Sequence, residues 1–245
     1  MTTYLWGISM DCKIIAHRGA SGLAGFDNSL ESFRKAIEIG VDMIEFDVRR
    51  TKDGKLVAFH DSDIDGRKIS SLTYSEIVKI SEGIGFKVPL VEDVIKLSKG
   101  KVGLDIELKE EGYEDILIKL VRGHLDHDEF VMKSFSDRTV KAIKRHDPKI
   151  RTGLLLGVEN PENKLKTRLS ELFPGRRLKR CGADFVSPNY RLLKLFFLRR
   201  MRERDVYVWT VNDVGLMEKL MKKGVDGLIT DRPDLACKVR SKTDL

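Results

Sequence analysis

Short apolar, β-branched runs alternate along the chain with stretches whose apolar residues recur every three or four positions. The strand-like runs fall at 13–17, 42–48, 56–60, 102–108, 130–134, 152–156, 184–186, 206–211 and 227–230. Helical patterns separate most of them, for instance at 29–39, 113–125, 138–146 and 214–223. Repeated strand-then-amphipathic-helix order predicts a parallel sheet covered by helices. A short signature recurs between helix and strand at Gly40-Val41-Asp42, Gly182-Ala183-Asp184 and Gly224-Val225-Asp226, where the glycine suits the left-handed position that closes a helix. Nine strands exceed the eight of a closed α/β barrel. The surplus resolves at Thr51-Lys52-Asp53-Gly54-Lys55, because about five residues cannot make a parallel crossover. Asp53-Gly54 is a two-residue hairpin signal. The second strand is therefore expected to pass the barrel rim, turn and return, with Asp47 facing His60. The fold class that follows is α/β: a TIM (β/α)8 barrel in one domain over 1–245, with a β-hairpin excursion after strand 2 and a short insertion around 61–89. A length of 245 residues suits such a barrel, which commonly takes about 250.

Strand side chains alternate faces. In Ile44-Glu45-Phe46-Asp47 the two carboxylates share one face, and in Leu104-Asp105-Ile106-Glu107-Leu108-Lys109 the three charged residues do. Charged groups rarely point into a core unless paired or bound to a metal. Both sets fall late in their strands, at the end where barrel active sites sit. Clustered carboxylate oxygens suit a hard cation such as Mg²⁺ or Ca²⁺. The plainer alternative is a set of structural salt bridges to Arg18 and Lys109. His17 ends the first strand and His60 ends the returning arm of the hairpin; imidazoles converging on carboxylates suit acid–base work near neutral pH. His124, His127 and His146 lie on helical stretches and read as solvated.

Composition narrows the class. With 41% hydrophobic and 34% charged residues the chain reads as soluble and globular, and no apolar run approaches the roughly 20 residues that span a bilayer. The first ten residues hold an apolar patch around Tyr4, Leu5 and Trp6 but no signal-peptide pattern, and Met10 is an alternative start. Cys12, Cys181 and Cys237 form no C-x-x-C pair, which argues for a reducing, cytoplasmic setting without disulfides or zinc. The net charge of +7 concentrates at 176–180 and 199–204. The segment 191–204 mixes Leu192, Leu193, Leu195, Phe196 and Phe197 with five arginines and one lysine. It is either a barrel-covering helix or a peripheral contact with an anionic membrane. No aromatics are interleaved as nucleic-acid binding would require.

The run Ile14-Ile15-Ala16-His17-Arg18-Gly19-Ala20-Ser21-Gly22, then Asn28, Glu45-Phe46-Asp47-Val48, Thr51-Lys52-Asp53-Gly54 and His60-Asp61, resembles the glycerophosphodiester phosphodiesterase family. So do Ile106-Glu107-Leu108-Lys109, Ser134-Phe135, Trp209-Thr210-Val211-Asn212 and Asp226-Gly227-Leu228-Ile229-Thr230-Asp231. The resemblance implies a TIM barrel that cleaves glycerophosphodiesters, small-molecule substrates, to an alcohol and glycerol phosphate with Mg²⁺ or Ca²⁺, Mn²⁺ being a further option. It implies Glu45, Asp47 and Glu107 as ligands, His17 and His60 as the acid–base pair, Arg18 and Lys109 on the phosphate, and Trp209 along the pocket. Asp27, Asn28 and Asp105 are further candidates. Two departures stand out. Phe26-Asp27-Asn28-Ser29 replaces the usual Pro-Glu-Asn-Thr, and the shorter 61–89 segment lacks the family's Arg-Thr-Thr and Gly-rich stretch, which implies a more open pocket. A lysophospholipase D, a metal-dependent aldolase or isomerase using Lys109, and a membrane-surface barrel without activity are the competing expectations.

Overall fold

Strand parity divides this chain into an inside and an outside. The computed structural model describes residues 12–158, 163–194 and 196–242; the apolar patch around Tyr4 and the alternative start at Met10 lie outside them. The strands, in chain order, are β1 (Lys13–His17), β2 (Met43–Arg50), β3 (Leu56–Ala58), β4 (Asp63–Ile64), β5 (Arg67–Lys68), β6 (Gly103–Leu108), β7 (Phe130–Ser134), β8 (Thr152–Leu156), β9 (Phe185–Pro188), β10 (Tyr207–Val208) and β11 (Gly227–Thr230). The helices are α1 (Leu30–Ile39), α2 (Tyr74–Gly83), α3 (Val91–Ser98), α4 (Glu114–Arg122), α5 (Asp137–His146), α6 (Lys164–Leu172), α7 (Gly175–Cys181), α8 (Phe197–Arg200), α9 (Val214–Lys222) and α10 (Pro233–Lys242). Eight strands pair in parallel in the order β10-β11-β1-β2-β6-β7-β8-β9. Two isolated parallel bridges, Val186 to Val206 and Asn189 to Trp209, hold the seam between β9 and β10. The result is the expected eight-stranded α/β barrel.

The outward positions of β2, Ile44, Phe46 and Val48, join the main hydrophobic layer between strands and helices. The inward positions form a thin lower layer of Ile15, Met43, Val131, Phe185, Tyr207 and Ile229, with charged residues above it. Glycines make room for the large side chains of that layer. A Cβ built on Gly153 would come within 2.3 Å of the Phe185 ring, which is fully buried. Gly153→Ala is expected to destabilise the fold by about 1–3 kcal/mol through overpacking, read by urea unfolding, and Phe185→Leu in the same chain should recover part of the loss.

The excursion after β2 forms as expected but one residue out of register. Val48 pairs with Ala58 and Arg50 with Leu56, and the Phe59 N–H donates to the Asp47 carbonyl at 3.0 Å. Asp47 therefore faces Phe59, not His60. The turn is a three-residue loop, 52–54, closed by Thr51 and Lys55, rather than the two-residue Asp53-Gly54 turn. Thr51 decides this: its hydroxyl donates to Asp53 Oδ1 at 2.6 Å and accepts the Lys55 N–H at 2.9 Å. Gly54, at φ 78°, takes the left-handed position such a loop needs.

The 61–89 insertion folds around a small core of its own, with Val57, Ile64, Ile69, Leu72, Ile77 and Val88 buried together. The segment 191–204 differs more from expectation. In place of one long helix it has a 3-10 turn at Tyr190–Leu192 and the four-residue α8. Phe196, at φ 60°, cannot continue a right-handed helix. Leu192 and Phe197 turn inward, whereas Phe196 is 78% exposed; Leu195 lies outside the described residues.

Candidate active site

Parallel pairing of β2 with β6 sets Glu45 beside Asp105 and Asp47 beside Glu107. β1 sets His17 beside Glu45. Inward parity then gathers acids at the C-terminal mouth of the barrel. Glu45, Asp47 and Glu107 are all buried, and one carboxylate oxygen from each lies within 4.8 Å of the other two. Three buried oxygen donors at that spacing, all hard ligands, fit a divalent cation.

The surrounding groups aim these acids. Asn28 is fully buried at φ 47°. Its amide donates to Asp47 Oδ2 at 2.9 Å and its carbonyl accepts the Asp47 N–H at 3.2 Å, so it orients Asp47. Lys109 Nζ sits 2.7 Å from Glu107 Oε1 and 3.2 Å from Asp47 Oδ1. Arg18 donates its backbone N–H to Glu45 Oε2 at 3.0 Å, and its guanidinium lies 3.2 Å from Asp47 Oδ2. Asp27 is half-exposed and binds Arg18 Nη1 at 2.8 Å. Burial works against ionisation of Asp47, but the Lys109 and Arg18 charges outweigh it and hold its carboxyl far below the ordinary range. Glu107 goes the other way, because burial and its anionic neighbours exceed the help from Lys109.

Asp105 faces deeper. It is fully buried and contacts Lys133, whose Nζ lies 2.6 Å from Asp105 Oδ2 and 3.5 Å from Glu45 Oε1. Asp105 therefore pairs with a lysine under the acidic cluster and is not one of its three converging oxygens. Burial opposes a charge on Lys133, yet Asp105, Glu45 and Glu107 outweigh it and keep the ammonium protonated. Lys133 was not among the sequence candidates, although its inward parity on β7 could have flagged it.

Asp231 was also missed as a site residue. Its Oδ1 lies 2.6 Å from His17 Nδ1 and accepts the Ser21 hydroxyl at 2.9 Å, while its Oδ2 accepts the Asn212 amide at 2.6 Å. The opposite ring nitrogen, His17 Nε2, faces Glu45 Oε2 at 4.0 Å. Burial alone would favour a neutral ring, but the Asp231 hydrogen bond and the Glu45 charge together raise the His17 pKa above its ordinary value. A carboxylate on Nδ1 fixes which nitrogen faces the acids. Asp231→Asn is expected to lower kcat about a hundredfold while leaving KM within a few-fold, measured by steady-state kinetics.

His60 stands at the rim, with Nδ1 2.7 Å from Asp61 Oδ1. His17, Arg18, Glu45, His60, Glu107, Lys109 and Lys133 all line one cavity of about 410 Å³. Its other wall is apolar, with Phe135, Leu155, Val158, Trp209 and Ile229. Trp209 is fixed by its indole N–H on the Ser187 carbonyl at 2.8 Å and by the Phe135 ring edge-on at 5.7 Å. Among the described residues, none from 61–89 lines this cavity.

The family model for the glycerophosphoryl diester phosphodiesterase family matches residues 17–235. A glycerophosphodiester phosphodiesterase of Caldanaerobacter subterraneus is 30% identical over 245 residues, covering 92% of this chain and 96% of its own. The crystal structure of a glycerophosphodiester phosphodiesterase from Parabacteroides distasonis superposes with a TM-score of 0.81 at 29% identity, covering 96% of this chain and 99% of that one. An Oleispira antarctica phosphodiesterase, solved with the product sn-glycerol-3-phosphate, superposes with a TM-score of 0.79 at 23% identity, covering 95% and 98%. With matched motifs, a matched barrel and a match over nearly the whole length, the chain belongs to the glycerophosphoryl diester phosphodiesterase family.

Proposed function

We propose that this protein hydrolyses glycerophosphodiesters to an alcohol and glycerol phosphate, as a metal-dependent phosphoric diester hydrolase. The observation that carries this reading is a cluster of three buried carboxylates, two of which, Glu45 and Glu107, line one cavity together with His17, His60, Arg18 and Lys109. Glu45, Asp47 and Glu107 would hold Mg²⁺, Ca²⁺ or Mn²⁺, which when bound polarises a phosphoryl oxygen. Four acids, Glu45, Asp47, Asp105 and Glu107, face three cations, Arg18, Lys109 and Lys133, so the cluster is formally one negative charge in excess. A divalent cation together with a monoanionic phosphodiester brings it to neutrality, which suits a largely buried site.

Arg18 offers a forked donor to the phosphate and Lys109 a point charge. His17 and His60, on different elements of the cavity wall, divide the proton transfers. One takes the proton from the attacking hydroxyl of water or of the glycerol, and the other gives a proton to the leaving alcohol. Asp231 holds His17 so that Nε2 faces the reacting centre, and Trp209 packs against the glycerol or headgroup. An aldolase-type role for Lys109 fits poorly. Burial favours a neutral amine, but Glu107 and Asp47 outweigh it and keep the ammonium protonated, so it is no free nucleophile.

The test is a panel of glycerophosphocholine, glycerophosphoethanolamine and glycerophosphoglycerol, each with Mg²⁺, Ca²⁺, Mn²⁺ or chelator, scored for glycerol phosphate and free alcohol. Metal-supported release of both products is expected. No release from any diester with any metal would reject the reading.

A further inference from the structure

Helix α6 wears apolar side chains on its solvent side. Leu165 is 73% exposed, Leu169 51% and Phe173 53%. Their spacing of four puts them on one stripe. Phe196 adds a fourth exposed apolar side chain, held outward by its left-handed backbone. The two elements meet: Arg200, one turn on from Phe196, places its guanidinium 4.6 Å over the Phe173 ring and donates to the Leu172 carbonyl at 2.8 Å.

The other side of α6 is fastened to the active-site cavity. Glu171 is fully buried, and its Oε1 accepts the N–H groups of Gly157 and Val158 at 2.8 and 2.9 Å. Both of those residues line the cavity. Arg168 completes the joint by binding Glu171 Oε2 at 2.6 Å and the Val158 carbonyl at 2.8 Å. The stripe is thus rigidly coupled to the lip of the pocket.

Charge is distributed to match. The stretches 163–180 and 191–202 contain twelve of the 45 lysines and arginines but only one of the 38 acids. That acid is the buried Glu171, which Arg168 pairs, and Arg177 and Arg180 pair with Asp137; the other cations of these stretches leave them net positive while the rest of the chain is net negative. Apolar side chains carried on cation-rich segments, with Arg200 set over Phe173, fit the interface of an anionic bilayer, which takes the apolar groups into its acyl boundary and the cations among its phosphates.

We propose that the Leu165, Leu169, Phe173 and Phe196 patch docks this protein on anionic membrane surfaces and so presents its cavity to lysophospholipids. A lysophospholipid is a glycerophosphodiester bearing one acyl chain, and the apolar wall at Leu155 and Val158 lies on the side of the cavity to which α6 is joined. The substrate half rests on the diester hydrolysis proposed above; the docking half stands without it.

Sedimentation with phosphatidylcholine vesicles, with and without phosphatidylglycerol, tests the docking. The wild-type protein should pellet with anionic vesicles, far less with neutral ones, and be released by high salt. Leu165→Glu/Leu169→Glu/Phe196→Glu should cut partitioning roughly tenfold or more. Hydrolysis of soluble glycerophosphocholine by that variant should stay within about twofold, because none of the three residues touches the cavity. Its hydrolysis of vesicle-borne lysophosphatidylcholine should fall in step with binding. Wild-type protein left in the supernatant, or equal binding by the variant, would overturn the proposal. So would a wild-type dimer in light scattering that the variant renders monomeric, since a second copy would then cover the patch. Vesicle binding without hydrolysis of any diester would support the docking surface and reject the diester reading instead.

Discussion

Replacing either histidine with alanine should lower kcat for a glycerophosphodiester at least a hundredfold. Positioned acid–base groups typically contribute 10²–10⁴-fold each, and the two histidines here share no element that would let one stand in for the other. The stability controls differ for the two sites. His60 is at the rim and over a third exposed, so His60→Ala should unfold within about 0.5 kcal/mol of wild type. His17 is partly buried and bonded to Asp231, so His17→Ala leaves that carboxylate short of its best partner. Burial pushes Asp231 up, but the His17 hydrogen bond and charge outweigh it and hold the carboxyl at about 2, below its unfolded value of 3.8. A depressed carboxyl stabilises the fold fully above the unfolded value and loses that stabilisation as pH falls towards about 2. Without His17 the carboxyl moves back up, so the acid transition of His17→Ala should begin at a higher pH than that of wild type. Turnover within tenfold of wild type in either alanine variant would remove that histidine from the acid–base assignment.

The second large effect concerns the carboxylates. Chelation by EDTA should abolish activity and an added divalent cation should restore it. Glu107→Gln keeps the side chain's size but removes one of three anionic oxygens. It should weaken Mg²⁺ or Ca²⁺ binding about a hundredfold or more in calorimetric titration. Metal binding should also raise thermal stability, by about 2.7 kcal/mol at a hundredfold excess over Kd, and Glu107→Gln should show little of this gain at the same concentration. Full activity of the wild-type protein in EDTA would remove the metal from the mechanism.

Much of this architecture was legible along the chain because strand parity is a local property. Ile44-Glu45-Phe46-Asp47 needs no partner to put two acids on one face, and the same holds for Asp105, Glu107 and Lys109. Alternation of strands and helices gave the barrel, and the barrel gave the end at which those acids collect. His17, at the end of β1, pairs beside Glu45, whereas His60 stands two residues past the end of β3 and reaches the same cavity from its rim. The hairpin was readable from Asp53-Gly54, but its register was not: the Thr51 hydroxyl bonded Asp53 and Lys55 and shifted the pairing by a single residue.

Contacts between residues far apart in the chain were decided by packing. Asp231 lies 214 positions from His17, and its carboxylate takes on a role only once closure of the ring sets β11 against β1. Lys133 looks like any strand lysine until the parallel register of β6 and β7 carries Asp105 under it and removes both from water. The apolar residues of 191–204 carry no mark of which will face inward; in the fold Leu192 and Phe197 are buried, while Phe196, at its left-handed turn, is exposed. Local steric preference sets which way a side chain points along its own strand or helix. Whether a charge can stay buried, or an apolar group stay in water, depends on what the rest of the fold brings within a few ångströms of it.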